Sequence, residues 1–166
     1  MRTNSFVSAE KLDIAKMIAH MQSFSMSKIL VIDTNVMVAA MLGSPAANRV
    51  IDGCFTKQFK PLMGEALFAE YEDLAHRDRL FEGCRLSLAE REELLDIFFS
   101  VCRWTRIYYA WRPNLRDEAD NHLIELAVAG NAEVIVTRNI RDFRCAELRF
   151  PAIQIITPES LLGETP

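Results

Sequence analysis

The residues of this chain that could do chemistry together are carboxylates, and they sit at turning points of the sequence. Asp33 ends the apolar run "KILVI" and is followed by Thr34 and Asn35. Asp117, Glu118 and Asp120 crowd the stretch before "NHLIELAVAG", while Asn139 and Asp142 follow a second apolar run, "EVIVT". Glu70 lies inside a longer segment, three residues beyond Leu67. Carboxylates crowded at one place repel one another, and desolvation strengthens the repulsion. A divalent cation relieves it. With no cysteine or histidine at metal-binding spacing, these oxygens suit a hard ion, Mg2+ or Mn2+. Such an ion keeps waters, makes one of them nucleophilic and offsets charge on a phosphoryl oxygen, which fits phosphodiester hydrolysis.

Taken singly, each acid has a plainer meaning. Asp33 could simply end a strand, and Glu70 shares its helix with Glu65, Glu72 and Asp73 as a solvated face would. Asp117, Glu118 and Asp120 are ordinary helix-start residues, worth a few tenths to about 1 kcal/mol each against the dipole. Their joint placement is what favours chemistry. In an open parallel sheet, ligands bind beyond the carboxyl ends of the strands. Asp33 and Asp142 follow strands, and the helix opened by Asp117 and Asp120 starts on the same edge.

The elements that position these residues are legible. Residues 28–32 form a short apolar strand with β-branched Ile29, Val31 and Ile32. A loop leads to a helix opened near Pro45 and closed at Gly53, and "FKPLM" is a short strand. "EALFAEYEDLAHRDRL" is a helix with Leu67, Tyr71 and Leu74 on one face. "SLAEREELLDIFFSVC" is another, with a Ser87–Glu90 capping box and Leu94, Ile97, Phe98 and Val101 at helical spacing. "TRIYYAW" reads as a strand or extended segment, "DEADNHLIELAVAG" as a helix stopped at Gly130, "AEVIVT" and "AIQIIT" as strands, and "PESLL" as a closing helical turn. Helices alternating with short apolar strands give an α/β fold with a mostly parallel sheet. Residues 1–27 stand apart as an extension whose Ile14, Met17, Ile18 and Met21 share one helical face.

Composition excludes several classes. Of 166 residues, 50% are hydrophobic and 25% charged, which is neither disordered nor membrane-like. No apolar run reaches the ~18 residues of a membrane span, and charges interrupt the N-terminus where a secretory signal needs an apolar core. A cytoplasmic protein is expected. Four scattered cysteines without CxxC spacing read as free thiols. The net charge of −4 argues against bulk nucleic-acid binding through a basic surface and leaves room for a local basic rim.

Three segments resemble the PIN domain, a fold of metal-dependent ribonucleases that includes VapC-like toxins of bacterial toxin–antitoxin pairs: "VIDTNV", "RDEADNHLIELAVAGNAEVIVTRNIRDF" and "ITPESLL". "LFAEYEDL" is a weaker match to the family's glutamate-bearing helix. The resemblance spans roughly residues 28–162 and implies a three-layer α/β fold, a nuclease domain over 28–166, and Mg2+- or Mn2+-dependent cleavage of RNA. It casts Asp33, Glu70, Asp120 and Asp142 as the metal-binding, catalytic acids, with Glu72 as the alternative to Glu70 and Asp117 beside Asp120. Thr34, Asn35, Thr137 and Asn139 would orient carboxylates or water. Arg112, Arg116, Arg138 and Arg141 would meet the RNA backbone. Some family members carry an aspartate where this chain has Asn139, so one firmly held ion with a weaker second is expected. An antitoxin partner and a homodimer follow from the same resemblance, with Phe98, Phe99 and Trp104 as apolar surface for pairing. The alternative is a PIN module that binds RNA or protein without cutting. A haloacid-dehalogenase phosphatase needs two aspartates two residues apart after the first strand, and here Asn35 takes the second place. A receiver domain needs a lysine after the late strand, and here Arg138 follows "EVIVT".

Overall fold

The computed structural model describes residues 27–109, 120–143 and 150–163. The expected amphipathic helix of the extension, Asp117, Arg112, Arg116 and Cys145 lie outside them. In chain order the elements are β1 (Lys28–Ile32), α1 (Thr34–Met41), α2 (Pro45–Phe55), β2 (Phe59–Met63) and α3 (Glu65–Ala75). A 3-10 turn (Asp78–Phe81), α4 (Leu88–Val101), β3 (Arg103–Trp104), α5 (Asn121–Gly130) and β4 (Val134–Val136) follow. The short α6 (Ile140–Phe143), β5 (Gln154–Ile156) and α7 (Pro158–Leu161) complete the order.

The five strands form one sheet in the order β3-β2-β1-β4-β5, with every neighbouring pair parallel. Leu30, Val31 and Ile32 pair with Val134, Ile135 and Val136 at the centre, and all six side chains are buried. Such strands lack polar alternation because helices cover both faces. The chain winds outward from β1 through β2 to β3, then crosses to β4 and winds the other way to β5. The direction therefore reverses between β1 and β4, and the crevice beyond their carboxyl ends is where open α/β sheets bind ligands.

Two glycines mark close approaches. A Cβ on Gly130 would meet Leu62 Cδ1 at 2.1 Å, so α5 lies tight against β2. A Cβ on Gly53 would meet the Phe59 ring at 2.5 Å. Gly53 is therefore a packing residue and does not close its helix, which runs on to Phe55. Gly130 ends α5 as expected, but the left-handed turn falls on Asn131 at φ 51°.

Several expectations need correction. The segment after Asp33 is a helix rather than a loop. Val36, Met37, Ala39, Ala40 and Met41 are all buried, so α1 shows little of the polar–apolar periodicity that would reveal it. The helix after β2 stops at Ala75, and its expected last turn is the 3-10 segment. In α4 the capping box is present, yet the core takes Arg91, Leu95 and Phe98, while Ile97 is 47% exposed. Arg91 displaces an apolar residue there because its guanidinium lies 4.2 Å over the Phe81 ring and donates to Asp78 at 3.1 Å. Phe98 is core, and Phe99 packs against Phe68 at 4.8 Å, so of the three residues expected to pair copies Trp104 alone is largely exposed.

Candidate nuclease site

Asp33 leaves the end of β1 with its backbone N–H donating to the Val136 carbonyl of β4 at 3.0 Å, and it caps α1. The residue is buried, 7% exposed. Its Oδ2 accepts from Asn35 Nδ2 and from the Thr137 hydroxyl, both at 2.7 Å. Its Oδ1 accepts at longer range, from the Asn35 N–H at 3.2 Å and from Thr34 Oγ1 at 3.4 Å. Asn35 reaches across the sheet. Its Nδ2 also donates to Thr137 Oγ1 at 3.1 Å, and its Oδ1 accepts from the Arg138 N–H at 3.0 Å. Thr137 is fully buried, donates its one proton to Asp33 and accepts from Asn35 and from the Asn139 N–H at 3.0 Å. A hydroxyl has one donor and two acceptor sites, and here all three are used. The ends of β1 and β4 are thus held together by one closed polar network.

Glu70 lies on the neighbouring α3, half-exposed, with its Oε2 3.6 Å from Nε2 of the buried His122. The fallback, Glu72, is exposed. Between Glu70 and the end of β1 stands Tyr71, fully buried, whose hydroxyl donates to the Ile32 carbonyl at 3.1 Å. Burial raises the Tyr71 pKa, with further contributions from Cys102, Asp33, Cys54 and Glu70. Burial likewise pushes the Cys102 thiol up to about 12 and Cys54 higher still. These cysteines are packing groups, and Cys54, Cys84 and Cys102 are free.

Asp120 occupies the N-cap of α5 but makes no side-chain capping bond to the helix. Asp142, on α6, accepts a short hydrogen bond from Asn139 Nδ2. Arg138 and Arg141 are exposed beside it.

The sequence pattern of the PIN domain matches residues 29–141. The chain belongs to this family. Among solved structures, the PIN fold here is similar to a chain in the crystal structure of VapBC2 from Rickettsia felis bound to a DNA fragment from their promoter. The TM-score is 0.52 at 17% identity, over 78% of this chain and 98% of that one. No curated protein matches.

For a PIN domain, the donor set fits a hard cation in kind. It is made of carboxylate oxygens, and Asp33 Oδ1 has only long contacts to give up. Asp117, one of the expected acids, lies outside the described residues. Among the described residues no three His, Cys, Asp or Glu side chains stand close enough to share an ion. Asp33 is satisfied by Asn35 and Thr137, Asp142 accepts from Asn139, and Glu70 lies 3.6 Å from His122.

His122 has no zinc-like spacing in the sequence, but its Nε2 lies 3.6 Å from a Glu70 carboxylate oxygen. The signal was its place two residues after Asp120, on a helix that starts at the functional edge.

Proposed function

We propose that this PIN domain is a metal-dependent endoribonuclease acting in the cytoplasm, the toxin of a toxin–antitoxin pair. The observation that carries the reading is Asp33, a buried carboxylate fixed by Asn35 and Thr137 at the point where the sheet reverses, with Glu70 one helix away. Asp33, Glu70, Asp120 and Asp142 would hold one firmly bound Mg2+ or Mn2+, with Asp117 beside Asp120. A bound ion of this kind supplies an activated water and offsets phosphoryl charge. The chain's own residues do the rest. Thr34, Asn35, Thr137 and Asn139 hold carboxylates in register, and Arg112, Arg116, Arg138 and Arg141 position the phosphate backbone. The VapBC2 likeness supports a small antitoxin as partner. The exposed Ile97 of α4 and the apolar helical pattern in the sequence of residues 1–27 support a homodimer, which light scattering of the purified chain at micromolar concentration tests directly.

The test of the activity is incubation of defined RNA hairpins with Mg2+ or Mn2+, wild type beside Asp33→Asn, Asp120→Asn and Asp142→Asn. Wild type should cut single-stranded or loop regions, and each folded mutant should lose the activity. Cleavage that persists in all three would remove the assignment. One observation favours a second reading, a PIN module that binds without cutting: among the described residues no three His, Cys, Asp or Glu side chains stand close enough to share an ion. Wild type that binds RNA and leaves it intact would support that reading.

A further inference from the structure

Beside Glu70, on the same carboxyl edge of the sheet, a cavity of about 710 Å3 opens between α3, α5 and the segment leaving β3. Its size lies within the ~300–1,000 Å3 range of small-ligand sites. Ala66 and Ala69 leave room along one wall, Glu65 and Arg106 carry charge, and Trp104 stands at the side. His122 lines the cavity and also contacts Glu70 at 3.6 Å, so cavity and candidate site meet at one side chain.

We infer that this cavity is a subsite for an unpaired nucleobase of single-stranded RNA, with Trp104 as its stacking platform. The inference rests on the nuclease reading above and adds where the strand lies. Trp104 is 56% exposed, a large apolar face left in water. Its ring nonetheless packs, tilted by 57°, on the Phe68 ring at 5.1 Å, and Phe68 packs in turn on Phe99. A rigid exposed indole binds a flat ring without first having to be ordered.

The charges say which part of a nucleotide enters. Two carboxylates, Glu65 and Glu125, and one guanidinium, Arg106, face the cavity, so the formal charge of these three is negative, which opposes a phosphate and does not oppose a neutral base. Arg106 also joins this cavity to a second one, of about 320 Å3, faced by Tyr108 and Tyr109. Both tyrosines are 77% exposed. Three exposed aromatic rings on two cavities that share Arg106 form a surface suited to successive unstacked bases, since every base has a π-face and arginine stacks on such rings. Duplex RNA keeps its bases stacked and paired and presents none to this surface.

The experiment is fluorescence anisotropy of an end-labelled, unstructured oligoribonucleotide of about eight nucleotides, titrated with the full-length chain in EDTA so that cleavage does not interfere. Trp104→Ala should weaken binding about tenfold, Trp104→Phe should restore most of it, and a duplex of the same sequence should not compete. The chain has two tryptophans, so in a Trp111→Phe background the remaining emission reports Trp104, and single-stranded RNA should quench it. The quenching arm holds even if Trp104→Ala folds poorly. Unchanged affinity in a folded Trp104→Ala, no quenching, or no binding of single-stranded RNA by wild type overturns the inference. So does a fall in molecular mass in Trp104→Ala, which would make the surface a protein interface. Cleavage by wild type alongside unchanged binding by Trp104→Ala defeats this subsite and leaves the nuclease standing. Tight, Trp104-dependent binding by a wild type that leaves RNA hairpins intact in Mg2+ or Mn2+ supports the subsite and defeats the nuclease.

Discussion

Thr137 has no charge and no exposed surface, yet three groups depend on its hydroxyl: Asp33, Asn35 and the N–H of Asn139. Replacing it by valine keeps the shape and removes all three bonds at once. Leaving a buried polar group unsatisfied costs about 1–3 kcal/mol, and some of the loss here is shared with Asn35, which already donates to Asp33. Thr137→Val should therefore lower stability by roughly 1–3 kcal/mol in urea denaturation. A midpoint unchanged from wild type would show that the network is slack. At this scale the sequence was informative about Asp33, because a carboxylate closing an apolar strand is a conspicuous choice. It was silent about His122, since no residue pattern shows that a histidine on one helix meets a glutamate on another.

Among the elements, α5 carries Asp120 and His122 at one end and Gly130 at the other, so its seating against β2 sets where both site residues lie. Gly130 permits that seating, with Leu62 occupying the space a Cβ would need. Leu62 is 1% exposed and cannot swing away into solvent. Gly130→Ala gains helix propensity of up to about 1 kcal/mol but forces overpacking that costs about 1–3 kcal/mol. A net loss of stability is expected on thermal denaturation, and an alanine variant more stable than wild type would mean that α5 can slide. Strands and amphipathic helices were readable because periodicity survives wherever one face meets water. That contrast vanishes in α1, which is buried nearly all round. In α4 it is misleading, because Arg91 takes an inward position by lying on Phe81 and leaves Ile97 outside.

For the molecule as a whole, the arrangement of acids predicts a response to metal. An ion that binds the folded chain alone stabilises it, by about 2.7 kcal/mol at a hundred times its dissociation constant. Mn2+ or Mg2+ should raise the melting midpoint of wild type, and raise it less in Asp33→Asn. A midpoint that ignores metal would favour the binding module over the nuclease. The fold class was visible from the order of elements, and the family from three short segments. The convergence of the acids could not be judged in the same way, because it depends on how far each carboxylate is drawn to its own neighbour.

The clamp at Asn35 also bears on how the protein ages. Its side-chain amide gives both hydrogens and its carbonyl to the network, so hydrolysis to aspartate would replace a donor with a second negative charge against Asp33. Spontaneous loss of that amide begins with attack by the backbone nitrogen of the following residue. Here that nitrogen belongs to Val36, and its N–H is engaged at 3.0 Å by the Asp33 carbonyl in the first turn of α1. The helix that the sequence concealed therefore shields the amide from its own backbone, and Asp33, which needs the amide intact, supplies the oxygen that does it.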